Sequence, residues 1–320
     1  MPKRRKHPTH DPTHDPRPPT HDPSWAVETR PPRTARKSLM VVYRTCWAAF
    51  VSYLLLDLLA GLPMLGGWLL IAGALLGQLG AMSLARRDRG EEAPPLATAA
   101  PVAGRWSALN SPADRVPSHG TRAYGQSHAI DVVAESAARA PASATARPTV
   151  GWWPPARRNT DFPAFDAPVL AVADGVVVRA ADGQRDHLSR NSYPAFLFLL
   201  VEGLLRDMRG PGRVIGNHLI LDLGGGTYAL YAHLRRGSLA VRPGERVRAG
   251  QPVARCGNSG NSSEPHLHFQ LMDHPDPDVA DGLPFRWHGV GVPAAKETFT
   301  VPEPPGRDDA AATETGRSVA

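Results

Sequence analysis

Hydrophobic positions along this chain follow three different rhythms. From residue 39 to 84 they are almost continuous, and LMVVYRTCWAAFVSYLLLDLLAGLPMLGGWLLIAGALLGQLGAMSL carries only Arg44 and Asp57 as charges. One bilayer span needs about 20 apolar residues, so residues 38–86 predict two transmembrane helices broken at Gly61-Leu62-Pro63. A single long, tilted span kinked at Pro63 is the alternative, and the run is too long for a signal-peptide core. In the second rhythm, YPAFLFLLVEGLLRDMRG (193–210) spaces its apolar residues as a helix does and closes on Gly210-Pro211. It predicts an amphipathic helix inserted between strands and packed over a sheet. In the third, short runs such as AIDVV, PVLAVADGVVVRA, NHLILDL, TYALYAHL and HLHFQLM are separated by Gly, Pro and Asp. They predict a mainly β domain over 106–295, an antiparallel sandwich or open barrel.

Composition sets the borders. Residues 1–37 repeat THDP three times amid Pro and Arg and cannot build a core, so they read as a disordered tail. Residues 87–105 read as a linker rich in Ala and Pro, and 296–320 as a second polar tail. The net charge is +6, with basic clusters (KRRK, RPPRTARK, ARRDRG) flanking the apolar stretch. Such charge suits membrane flanks better than nucleic acid. Two cysteines, Cys46 and Cys256, exclude a disulfide framework and a multi-cysteine zinc site.

The chemistry concentrates in EPHLHFQL, residues 264–271. On a strand, side chains at i and i+2 share a face. His266, His268 and Gln270 therefore share one face, and Leu267, Phe269 and Leu271 turn to the core. Alternation in TYALYAHL puts His233 on the side of Tyr231. In HAIDVV, Asp131 lies opposite Ile130 and Val132, off the core face. Two or three histidines with one aspartate are a natural set for a catalytic zinc, which takes three protein ligands and leaves room for water.

The stretch from GNHLILDL through YAHL, VRPGERVRAGQPVA, GNSG and HLHF resembles the M23 (lysostaphin/LytM-type) zinc metallopeptidases, which cleave peptide bonds in peptidoglycan. The likeness is specific over about 216–271 and extends more weakly over 119–178 through APVLAVADGVVVRA. It implies that His268 and Asp131 are zinc ligands, and that His233 and His266 orient the attacking water, take its proton and stabilise the oxyanion. The other histidine ligand is open between His119 and His128. His128 stands three before Asp131, an odd offset that faces it away on a strand, whereas a Gly-containing loop can fold His119 back. The resemblance also implies peptidoglycan as partner and an extracytoplasmic domain on a cell membrane. The basic flanks point the other way, towards cytoplasmic termini. An inactive M23-like domain that binds peptidoglycan or regulates another hydrolase is the competing reading. A biotinyl-type carrier is excluded, because residues 216–295 hold no lysine. His187, His218, His274 and His288 read as structural or surface residues. GWWPPARRN in 134–165 reads either as groove lining or as a surface loop with a buried tryptophan.

Overall fold

A computed structural model of the chain describes residues 33–87, 93–135 and 146–302. The THDP repeats and the last eighteen residues lie outside these described residues. Two helices, α1 (Thr34–Ala60) and α2 (Met64–Arg87), form an antiparallel hairpin. The chain turns at Gly61, whose left-handed backbone (φ 59°) lets its N–H bond the Asp57 carbonyl. Small residues let the two helices approach closely: a Cβ on Gly77 would stand 3.1 Å from the Leu39 carbonyl oxygen. Both helices are long and apolar enough to cross a membrane, with mean hydropathies of 1.6 and 1.7. Large side chains such as Leu58 and Leu59 point outward and are about 85% exposed.

The basic residues at the start of α1 have a second use. Arg33 donates to Asp273 (2.9 Å), Lys37 to Asp276 (2.6 Å) and Arg36 to the Val279 carbonyl (3.0 Å). Buried Arg44 forks onto Asp278. These contacts clamp the hairpin to the loop 273–281. The helix starts at Thr34, so the last residues of the expected 1–37 tail belong to it.

The main sheet has nine strands: β2 (Gly104–Asn110), β3 (Ile130–Ala134), β5 (Gly175–Ala181), β6 (His218–Asp222), β7 (Tyr228–Ala232), β8 (Arg246–Val247), β10 (Leu267–Met272), β11 (Gly282–Leu283) and β13 (Thr298–Val301). Its order is β13-β2-β3-β10-β7-β6-β5-β8, with β11 also on β10, and all pairings are antiparallel. A two-stranded sheet of β4 (Pro168–Leu170) and β9 (Pro252–Arg255) joins the same core. The fold is thus the mainly β, antiparallel class expected, with two apolar helices ahead of it. Alternation works as the sequence requires. Ile130, Val132, Tyr231, Leu267, Phe269 and Leu271 all fall in one buried cluster, leaving the His268 side of β10 for other use.

Two stretches depart from expectation. Within the expected linker 87–105, β1 (Leu96–Thr98) pairs in parallel with β12 (Phe285–Trp287). Within the expected tail 296–320, β13 pairs with β2 along its whole length. Phe299 drives the second case by packing on Trp287, with ring centroids 5.6 Å apart. Short edge strands among Pro and Ala carry too little periodicity to be read locally.

The inserted segment is helix α3 (Tyr193–Met208), N-capped by the Ser192 hydroxyl, which accepts from the Ala195 N–H (3.2 Å). A short helix α4 (Pro211–Ile215) follows. The expected packing of α3 by its apolar side is not found, since that side faces outward.

His218 is structural, as expected. Its Nδ1–H donates to the Gly216 carbonyl (2.8 Å), while Nε2 is buried without a partner. Burial pushes its pKa below 6.5, with the nearby Arg179 acting in the same direction against the Gly216 bond. The unfolded chain takes up this proton near pH 6.5 and the folded chain resists it, so stability falls as pH drops below that value. In His218→Gln, thermal unfolding followed from pH 7.5 downward is expected to lose part of this slope. An unchanged slope would show that His218 titrates normally.

Candidate active site

The site is built on the pairing of β10 with its neighbours. His268 lies directly opposite Asp131 on β3 and Ala232 on β7. Cross-strand partners on one face bring side chains within reach, and His268 Nδ1 stands 2.8 Å from Asp131 Oδ1. Asn110 of β2 also faces Asp131 and donates from Nδ2 to Oδ2 (2.8 Å).

Of the two candidates for the remaining histidine, the fold brings His119 to this place. The loop before β3 folds back so that His119 Nε2 lies 2.8 Å from Asp131 Oδ2. His128 turns away, with Nδ1 against Ser127 Oγ and the Gly282 carbonyl. His119, Asp131 and His268 form a group whose ligand atoms all lie within 4.8 Å of one another.

His266 and His233 stand beside this group. His266 Nε2 is 3.5 Å from Asp131 Oδ1, and the His233 and His266 ring centroids are 4.8 Å apart. His233 reaches the site by breaking the alternation. Tyr231 is in the core against Phe269, and strict alternation would send His233 there too. Instead His233 takes a left-handed backbone, φ 60°, uncommon for a residue with a side chain and frequent at functional sites. Its N–H donates to the Ile215 carbonyl (3.0 Å), and its carbonyl accepts from the Gly257 N–H (3.1 Å). The GNSG turn supports it. Gly260, with φ +72°, is packed so tightly that a Cβ would stand 2.5 Å from the Val214 oxygen.

Each imidazole has one nitrogen held from outside the group. His119 Nδ1 meets Ser118 Oγ (2.9 Å), whose own hydroxyl donates to the Ala129 carbonyl (2.7 Å). His268 Nε2–H donates to Gln270 Oε1 (2.9 Å), and the Gln270 amide donates to the Tyr124 carbonyl (2.7 Å). His233 Nδ1–H donates to the Ser259 carbonyl (2.8 Å), and His266 Nδ1–H to the Glu264 carbonyl (2.8 Å). These acceptors turn the second nitrogen of every ring inward, and at His266 that nitrogen, Nε2, stands 3.5 Å from Asp131 Oδ1, placed to carry a proton. His119 Nε2, His268 Nδ1 and the Asp131 carboxylate thus converge on one point, where they could share a metal ion. Two imidazoles and one carboxylate, each oriented by an outer partner, suit a metal ion by their chemistry. Buried Glu264, which places His266, is itself gripped by Arg147 through two bonds (2.6 and 3.1 Å).

Charge reinforces the arrangement. Burial alone would raise the Asp131 pKa, but His119 and His266 outweigh it and hold the carboxyl well below the usual range. His233 is pushed well below 6.5, first by burial and then by His266 and His268. For His266 burial acts downward, and the Asp131 carboxylate wins, raising it. A cleft of about 350 Å³ opens over these residues, with Phe196 and Leu199 of α3 in its wall. Trp152 and Trp153 do not line it. Both are exposed, at 73% and 80%, so neither is the buried tryptophan expected of a surface loop.

Ser118, Asn110 and the carbonyls of Ser259 and Glu264 were not visible as site partners in the sequence. Gln270 was, by its alternation with His266 and His268. Its role makes a prediction. In Gln270→Leu, His268 loses the acceptor that orients it, and the affinity of the His119–Asp131–His268 group for a metal ion such as zinc is expected to fall about 10–100-fold. Competition with a chromogenic chelator measures this, and unchanged affinity refutes the orienting role.

Residues 201–278 match the sequence model described as Peptidase family M23. The match takes in His233, His266 and His268 and stops short of His119 and Asp131, which the geometry brings in. The chain is 29% identical over 148 residues to the peptidoglycan DD-endopeptidase ShyC of Vibrio cholerae serotype O1, covering 45% of this chain and 26% of that protein. It is 33% identical over 57 residues to ShyA of the same organism, covering 18% and 13%. The chain thus spans about a quarter or less of the length of these relatives. Solved structures that are similar include a zinc-containing peptidase from Vibrio cholerae (23% identity, TM-score 0.23, 37% of this chain and 26% of that one). The catalytic domain of lysostaphin from Staphylococcus simulans is another (23% identity, TM-score 0.25, 42% and 85%). Overall similarity at these scores is slight, and the site stands on its own distances.

Proposed function

We propose, from the premise that this chain carries a peptidase family M23 domain, that it is a membrane-anchored zinc metalloendopeptidase hydrolysing peptide bonds in peptidoglycan. The observation that carries this reading is the convergence of His119, Asp131 and His268 within 4.8 Å, with every ring oriented from outside. The names of the Vibrio relatives supply the substrate class.

His119 Nε2, one or both Asp131 oxygens and His268 Nδ1 hold the metal in this proposal. A zinc bound there supplies Lewis acidity and acidifies a water to a pKa of about 7. The other steps belong to side chains. His233 is neutral because it is buried, so its inward nitrogen can accept the proton of the attacking water. His266, beside Asp131, can donate to the oxyanion of the tetrahedral intermediate and to the leaving amine. Asn110 holds the Asp131 carboxylate in place by its bond to Oδ2. The helices α1 and α2 anchor the domain as a bilayer hairpin, and the domain lies on the wall side of the membrane.

The test is metal analysis of the full chain in nanodiscs, combined with digestion of purified peptidoglycan sacculi. One zinc per chain and muropeptides bearing newly freed amines are expected. Bound zinc with intact sacculi of every wall type would refute hydrolysis and leave a binding domain.

A further inference from the structure

Helix α3 is built inside out for a soluble domain. Every exposed residue along Tyr193–Met208 is apolar or aromatic, led by Leu197 (69%) and Leu200 (72%), with Phe198 and Val201 at 54% each. Its charged residues turn inward. Glu202 accepts from Arg190 (2.9 Å) and Arg206 (3.3 Å), and Arg206 also donates to Asn261 (3.2 Å) at the edge of the cleft. A water-facing helix shows the opposite distribution. A contiguous apolar face of this kind marks a docking surface.

Two observations say what covers it. The first is continuity with the apolar hairpin. The C-terminal end of α3 is fastened to α1, where Arg44 Nε donates to the Asp207 carbonyl (3.0 Å), while Tyr124, in the loop before β3, bonds the Asp207 carboxylate. From Arg44 to the hairpin tip at Ala60 the helix continues for sixteen residues, a rise of about 24 Å. That is most of a hydrocarbon core about 30 Å thick, so Arg44, and the end of α3 with it, stand at the level of the bilayer surface. The second is the chemistry of the other end. Exposed Trp152 packs against Tyr193, with ring centroids 5.0 Å apart, and Trp153 is exposed beside it. Trp and Tyr are the residues that settle at the membrane interface.

We infer that α3, together with Trp152 and Trp153, is a second membrane contact that lies in the bilayer interface and holds the domain against the lipid surface. Because Phe196 and Leu199 also form a wall of the cleft, the His119–Asp131–His268 site opens beside the membrane. It therefore meets polymer strands nearest the bilayer. The membrane contact rests on the reading of α1 and α2 as membrane-embedded, and only its consequence for the polymer rests on the peptidase reading.

The experiment is depth measurement by spin labelling of the full chain in phosphatidylethanolamine/phosphatidylglycerol nanodiscs. In a Cys46→Ala background, with fully buried Cys256 left in place, single cysteines are introduced as Leu200→Cys, Leu69→Cys on α2 and Glu245→Cys on an exposed turn. Each is labelled with a nitroxide. Collisions with dissolved oxygen are compared with collisions with a water-soluble nickel chelate. The label at 200 is expected to favour oxygen over nickel several-fold relative to the label at 245, approaching the label at 69. Nickel access at 200 equal to that at 245, while 69 reads lipid, overturns the inference. Shielding of 200 from both reagents overturns it too, because a partner protein or a second copy then covers the face. Nickel access at 69 overturns the anchor, and this inference with it. None of these readings depends on activity, so failure here is distinct from failure of the hydrolase proposal.

Discussion

The His268→Ala chain is expected to purify without stoichiometric zinc and to release no muropeptides above the no-enzyme background. His268 lies at the centre of the donor set. It is paired across the strands with Asp131, held on its far side by Gln270, and 6% exposed. Its removal leaves His119 and Asp131, and two donors do not make the three-ligand site that catalytic zinc uses. With the metal go both the Lewis acid and the acidified water, so the loss is complete in kind. Because a buried histidine also packs, the loss is to be checked in Asp131→Asn, which keeps the volume and the Asn110 contact but removes the charge. Zinc content, measured by mass spectrometry, and sacculus turnover should fall together in both variants while far-ultraviolet circular dichroism is unchanged. If either variant keeps zinc and activity, these three residues do not form the metal site.

His266→Ala separates chemistry from metal binding. His266 Nε2 is 3.5 Å from Asp131, and its Nδ1 is tied to the Glu264 carbonyl (2.8 Å), outside the three-donor group. Loss of a positioned proton-transfer group costs about 10²–10⁴-fold in rate, or roughly 3–6 kcal/mol of transition-state stabilisation at about 1.4 kcal/mol per tenfold. The variant is therefore expected to bind zinc as the parent does and to cleave sacculi at a hundredth or less of its rate. His233→Ala should behave alike, and the double variant should lose less than the product of the two single losses, since the proposed mechanism has both residues acting on one water. Full activity in His266→Ala would remove it from the reaction. Lost zinc would make it a ligand instead.

How much of this was legible beforehand follows from the range of the physics involved. Alternation is local, so EPHLHFQL alone put His266, His268 and Gln270 on one face and Leu267, Phe269 and Leu271 in the core, where they are found. Hydrophobic run length is also local, and the break at Gly61-Leu62-Pro63 is where the hairpin turns. The helix over 193–208 followed from its spacing, but not its orientation. Periodicity says that one side is apolar, and it does not say which side meets the domain. Here Arg190, Arg206 and Asn261 compete for the inner side and leave Leu197 and Leu200 outside.

From the order of residues alone came the apolar hairpin, the mainly β domain and the histidine face of one strand, because each rests on contacts between neighbours in the chain. Only tertiary structure brought His119 rather than His128 to Asp131, swung His233 off the face of Tyr231 by a positive φ, and oriented the rings through Ser118, Ser259 and Glu264. It also redirected the basic flank of α1 onto the aspartates of the 273–281 loop. Those outcomes depend on loop closure, backbone conformation and strand register, the last joining residues as far apart in sequence as Asp131 and His268, and no local period encodes them.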